Sequence, residues 1–170
     1  MTSGTISQQE AISARIIELA AREKIPARRI TRAGELSRLY ESRLAGKTER
    51  EAQGIRQILA VLNYIAGQAW LQSGDRVQAR KELESALSGT RKAVNLYYKI
   101  NILLADTVRN DADVQAGFMK EALSNFVSRW NEPGAPAVAE RYAGYLEKKG
   151  SQLEGRGQYR EAAELYRGYC

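Results

Sequence analysis

Few residues in this sequence could do covalent chemistry. Its 170 residues include one cysteine, Cys170, and no histidine, which removes most zinc sites, disulfide frameworks and histidine-based catalysis. Cys170 is the final residue given, where a thiol is more often incidental than reactive, and it is assigned no role. Carboxylates remain. Glu147, Glu154, Glu161 and Glu164 could in principle serve acid–base hydrolysis, but Lys148, Lys149 and Arg160 stand among them, as on a solvated helix surface. There is no phosphate loop, dinucleotide fingerprint, nucleophile elbow or metal-ligand spacing. The expectation is a non-catalytic protein that needs no cofactor and no metal.

A second chemistry open to these residues is anion binding. Arg28, Arg29, Arg32, Arg38 and Arg43 are followed by Lys47 and Arg50, and Arg28, Arg32 and Arg43 could share a face that meets the phosphates of a nucleic acid or an anionic surface. The net charge of +6 is uneven. Residues 1–56 carry 11 basic and 7 acidic side chains, residues 57–109 carry 7 and 4, and residues 110–170 carry 8 and 9. Glu35 and Glu41 interrupt the stripe, so the basic patch stands as the alternative to a solvated helix face.

The elements that must position these groups are helices. Ala, Leu, Glu, Arg, Lys and Gln fill nearly every segment, and no run of alternating β-branched and polar residues is bounded by turns. Apolar residues make up 44% and charged residues 27% of the chain, a globular composition. Met1 to Gln9 is polar, and apolar runs such as Ile58 to Leu62 are too short to span a bilayer, so a cytoplasmic protein is expected.

Ser7 and Glu10 form a capping-box start for a helix that carries Ile12, Ile16 and Leu19 and ends near Glu23. Pro26 suits the first turn of a second helix, running to about Leu44 with Leu36, Leu39 and Tyr40 inward, closed by Ala45-Gly46. Thr48 with Glu51 opens another capping box, and helical pattern continues to Gln72 as one helix or as two joined near Gly54. Ser73-Gly74-Asp75 turns the chain into a shorter helix bearing Val77, Leu83 and Leu87. A hairpin of helices follows from Val94 to about Val108 and from Ala112 to about Arg129, turning at Asn110-Asp111. Asn131 to Pro136 reads as a loop, and a last hairpin joins Ala137–Leu153 to Tyr159–Tyr169 around Gly155 to Gly157.

Two segments share a layout. Ala66-Gly67 precedes Trp70 by three residues, Gly74-Asp75 turns, and Ala79, Leu83 and Ala86 follow; Gly150, Gly157-Gln158-Tyr159, Ala162 and Tyr166 repeat it. Gly67 to Ala79 and Gly150 to Ala162 are equal intervals, as where two helices cross closely over small side chains. In the middle hairpin Leu104, Ala116 and Lys120 hold the corresponding places. On these residues the chain resembles the tetratricopeptide-repeat family over roughly residues 60–170. The resemblance implies an all-α fold of about eight helices, a right-handed stack of antiparallel hairpins at 60–88, 94–129 and 137–169. Residues 1–59 would form a cap or a dimerisation segment, with a homodimer as one outcome.

The resemblance also implies a function: a scaffold or adaptor whose concave surface, lined by the first helix of each hairpin, cradles a peptide of a partner protein. By position the groove residues are Tyr64, Gln68 and Leu71 in the first hairpin and Tyr98 and Asn101 in the middle one. The paired lysines with which some members hold a carboxyl terminus are missing there. In size and layout the chain also looks like the repeat-type chaperones of bacterial type III secretion, a further alternative that its basic balance fits poorly.

Overall fold

The computed structural model describes residues 23–91, 95–126 and 134–167. Among the described residues there are seven helices and no strand: α1 (Pro26–Glu41), α2 (Glu49–Gln72), α3 (Arg76–Ser88), α4 (Asn95–Thr107), α5 (Ala112–Ser124), α6 (Gly134–Gly155) and α7 (Tyr159–Arg167). That is one fewer than the eight expected; the helix expected from Ser7, with Ile12, Ile16 and Leu19, lies outside the described residues. The chain divides between Arg91 and Lys92 into two compact units. The boundary expected near residue 59 falls instead inside α2.

In the first unit α2 packs against α1 on one side and α3 on the other. Local signals set its start: the Thr48 hydroxyl accepts from the Glu51 amide while the Glu51 carboxylate accepts from the Thr48 amide. Those bonds, with Lys47 nearby, hold the Glu51 carboxyl below its ordinary value. Gly54 does not break the helix. It is buried mid-helix, so α2 runs as one element of 24 residues, about 36 Å long at 1.5 Å per residue. Ile58 and Leu62 on α2 pack against Leu36 and Tyr40 on α1.

Leu39 and Val77 depart from expectation, since both are exposed instead of inward. Leu39 lies three residues after Leu36 and one before Tyr40, and the latter two claim the contact with α2. Val77 sits in the first turn of α3, two residues before Ala79, the first point at which that helix is buried. The Asp75 side chain caps α3 by accepting from the Gln78 amide at 3.0 Å, and Gly74 takes φ +84°, a conformation that a side chain would strain.

The crossing of α2 and α3 is as close as the small residues allow. A Cβ placed on Gly67 would stand 2.6 Å from Leu83 Cγ and 3.2 Å from the Ala79 carbonyl oxygen. Leu83 and Ala79 have no exposed surface, and removing a leucine side chain from water contributes about 1.5–3 kcal/mol.

In the second unit α4, α5, α6 and α7 each pack on the next in sequence. Its core gathers Ala105 of α4, Met119 and Ala122 of α5, Phe126, and Ala135 and Val138 of α6. Met119, one residue before the expected Lys120, fills the contact, and Lys120 points to solvent. Asp111 caps α5 by accepting from the Val114 amide at 3.1 Å, and Asn110 takes φ 58° in the turn before it. Helix α6 starts at Gly134, earlier than the loop signal of Asn131 to Pro136 suggests. Pro136 then lies in the first turn, where no intrahelical N–H is required and its fixed φ suits the helix. The α6–α7 crossing repeats the first: Tyr166 lies over Gly150, with Cε1 2.6 Å from where a Cβ would be. Leu83 follows Gly67, and Tyr166 follows Gly150, by the same sixteen positions.

Candidate functional site

Five residues were expected to line a groove, and the structure separates them into two groups. Tyr64, Gln68 and Leu71 fall at i, i+4 and i+7 on α2, each half-buried, on the one side of the helix that holds no buried residue. The buried residues of α2 lie in its other directions. Ile58, Leu62, Ile65 and Ala69 face one neighbour or the other, and Gly67 with Ala60 lies beneath α3 and its C-terminal Gly89.

Tyr98 and Asn101 are placed otherwise, and this corrects the expectation for them. The Asn101 side chain is 1% exposed and its Nδ2 donates to the Tyr97 carbonyl of its own helix at 2.9 Å, so its amide is already used. Tyr98 stacks at a tilt on Phe126, with ring centroids 4.7 Å apart, and its hydroxyl lies beside Gly134. Its aromatic ring contributes to the core of the second unit. Sequence periodicity alone does not distinguish these positions from Tyr64 and Gln68, because both helices carry tyrosine and amide at similar spacing.

The basic alternative is spread thin. Arg28 and Arg32 lie one turn apart on α1, along a cleft of about 460 Å³ that Glu23 and Glu35 also line, with Ala27 and Thr31. Arg32 is paired with Glu35 at 3.1 Å. Arg43 lies beyond the end of α1, over the Tyr40 ring at 5.4 Å, and is not aligned with the other two by helical geometry. Lys47 pairs with Glu51, and Arg56 with Glu49. The Arg56 pairing lowers the Glu49 carboxyl and raises the guanidinium from their ordinary values, through a hydrogen bond first and charge attraction second.

A polar network in the second unit has no counterpart in the expectations. Arg141 on α6 donates to Asp106 on α4 and to the Tyr145 hydroxyl at 3.2 Å, and Lys149 on α6 pairs with Asp113 on α5. Burial works against the Arg141 charge, but the bonds to Tyr145 and Asp106 more than offset it and hold the guanidinium above its ordinary value. Tyr97 of α4 donates to Glu121 of α5 at 2.7 Å. The Arg141 and Lys149 links join α6 to both helices of the hairpin before it, and Tyr97–Glu121 joins those two helices to each other. Apart from Arg141 and Tyr145, one turn apart on α6, the partners lie 24 to 36 residues apart in sequence, so no local pattern announces them.

Glu147, Glu154, Glu161 and Glu164 are all exposed; Glu164 is paired with Arg160. Among the described residues no three His, Cys, Asp or Glu side chains come together as a metal centre would require, and no helix is long and apolar enough to cross a membrane. Cys170 lies outside the described residues. In comparisons with known families, with curated proteins and with solved structures, nothing matches this chain.

Proposed function

We propose that the chain is a non-catalytic scaffold that holds a peptide segment of a partner protein along the side of α2 that carries Tyr64, Gln68 and Leu71, within a tetratricopeptide-like array of helical hairpins. The observation that supports this reading is the placement of Tyr64, Gln68 and Leu71, three half-buried residues in one row along a long helix. A tyrosine ring and a leucine offer contact area at low entropic cost, and an amide can satisfy a peptide backbone. The repeat part of the reading is supported by the equal sixteen-residue intervals from Gly67 to Leu83 and from Gly150 to Tyr166. It is supported too by α6, which engages both α4 and α5 as the first helix of a new hairpin does in a stacked array.

The test is affinity capture with the full chain, comparing Tyr64→Ala plus Leu71→Ala with Arg28→Ala plus Arg32→Ala, each checked for unchanged helicity by circular dichroism. The reading expects the first pair to lose the captured protein and the second to keep it. Capture that survives the α2 changes, or that disappears with the arginine changes and with added salt, overturns it in favour of anion binding.

A further inference from the structure

Three turns lead into a helix in the same way, and the third lacks a part that the other two have. Gly74, Asn110 and Gly157 each take a positive φ. In each case the next residue accepts, through its backbone carbonyl, the amide four positions on: Asp75 from Ala79, Asp111 from Gln115 and Gln158 from Ala162. The side chains then differ. Asp75 and Asp111 also accept the amide three positions on, from Gln78 and Val114, whereas among the described residues the Gln158 side chain makes no such bond. Helix caps are short side chains, and the carboxamide of glutamine stands one methylene farther from the backbone than that of asparagine.

Helix α7, which follows Gln158, also has the least to hold it. It is nine residues long against thirteen for α3 and for α5. It buries only Ala162, where α3 buries three residues and α5 five, and Tyr159 is 69% exposed. Among the described helices α6 alone packs extensively against it, and among the described residues no side-chain hydrogen bond or ion pair joins the two. The pair Arg160–Glu164 is internal to α7. Helix α6, by contrast, is tied to α4 and α5 through Arg141 and Lys149. Helix α1 buries a single residue too, Ala33, but it is sixteen residues long and packs Leu36 and Tyr40 on α2.

We infer that α7 is a strap: it lifts from α6 and unwinds while α4, α5 and α6 stay packed, and in doing so it uncovers the face of α6 that carries Gly150, over which Tyr166 lies when the strap is closed. Leaving α6 and unwinding are one event, because a helix this short does not repay its nucleation cost alone in water. The opening breaks no ion pair between helices and gives up no side-chain cap. It exposes one buried alanine and part of a tyrosine ring, so little apolar surface returns to water. Opening at α6 would cost more, since the Arg141 and Lys149 links and the contacts of Ala135 and Val138 would go with it. Low-cost openings of this kind follow contiguous elements with few buried contacts. The inference is independent of what α2 binds.

The experiment is amide hydrogen exchange of the full chain, read by mass spectrometry on peptic fragments at neutral pH, with Gln158→Asn as the comparison. Asparagine keeps the carboxamide, adds no charge and brings the oxygen within capping reach; position 158 is exposed, so the variant keeps its fold. Fragments from residues 159–167 are expected to exchange about a hundredfold faster than those from residues 138–149 of α6, with α5 as protected as α6. Gln158→Asn is expected to slow the exchange of α7 about fivefold and to leave α5 unchanged. Protection of α7 equal to that of α6 overturns the strap. So does exchange of α6 and α7 at one common rate, which would make the whole hairpin the opening unit. A fast α7 that ignores Gln158→Asn overturns the part assigned to the missing cap.

Discussion

Leu83 lies directly over Gly67, close enough that a Cβ on the glycine would stand 2.6 Å from Leu83 Cγ and 2.9 Å from Cδ2. Since Leu83 is fully buried, it has no free direction in which to retreat. Gly67→Ala should therefore destabilise the first unit, by about 1–2 kcal/mol after the gain in helix propensity is set against the overpacking. Urea unfolding measures the loss. The double variant Gly67→Ala plus Leu83→Ala should lose less than the sum of the singles, because the leucine change empties the space that the methyl group needs.

Gly150 and Tyr166 repeat the relationship with a different outcome. Tyr166 is 37% exposed, and the part of it over the glycine is the far end of the ring, which can swing outward. Gly150→Ala should thus be nearly neutral in the same measurement, the lost contact being offset by about 0.5–1 kcal/mol of helix propensity. A large loss at Gly150 would mean that the ring is held in place more firmly than its exposure implies.

Gly117 in α5 and Gly144 in α6 are exposed helical positions around which a Cβ meets nothing within 4 Å. Alanine at either should raise stability by about 0.5–1 kcal/mol, through the reduced entropy of the unfolded chain. Thermal unfolding of each single variant checks this, and a fall in midpoint at either site would contradict the open space seen there.

Glu82 on α3 is partly buried, and burial raises its carboxyl above the ordinary value with only Lys81 opposing. A carboxyl raised on folding favours the protonated native state. Its contribution is therefore fully present at acid pH and is lost as pH rises through the folded-state value. Glu82→Gln should be more stable than the parent at pH 7, with the advantage vanishing below about pH 4, where the carboxyl is protonated in both states. Urea midpoints at the two pH values give the sign.

Arg141 and Asp106 fasten α6 to α4 at positions 35 residues apart. A double-mutant cycle on Arg141→Met and Asp106→Asn should yield a coupling of about 0.5–1 kcal/mol, since both side chains keep partial contact with solvent. Salt should reduce it only in part.

Much of the helical framework was legible in the chain because its signals are local. The Thr48–Glu51 box and the turns at Gly74-Asp75 and Asn110-Asp111 each depend on residues within one or two turns, where backbone geometry leaves few choices. Where local signals competed, they misled. Pro136 reads as a breaker but sits in the first turn of α6, and Leu39 reads as a core residue but loses its place to Leu36 and Tyr40.

By itself, then, the sequence determined the helices with their turns and the Thr48–Glu51 cap, since hydrogen bonding and φ preferences are settled among near neighbours. Only the tertiary structure decided that Gly54 lies within one continuous helix and that Leu39 faces out. It also decided that Asn101 is buried and that Tyr98 packs on the core of the second unit, while Tyr64, Gln68 and Leu71 are half-buried in one row. The physical reason is that helical periodicity defines several faces of a helix equally well, and which of them is buried depends on the neighbours that pack there, residues that the chain brings together from far apart.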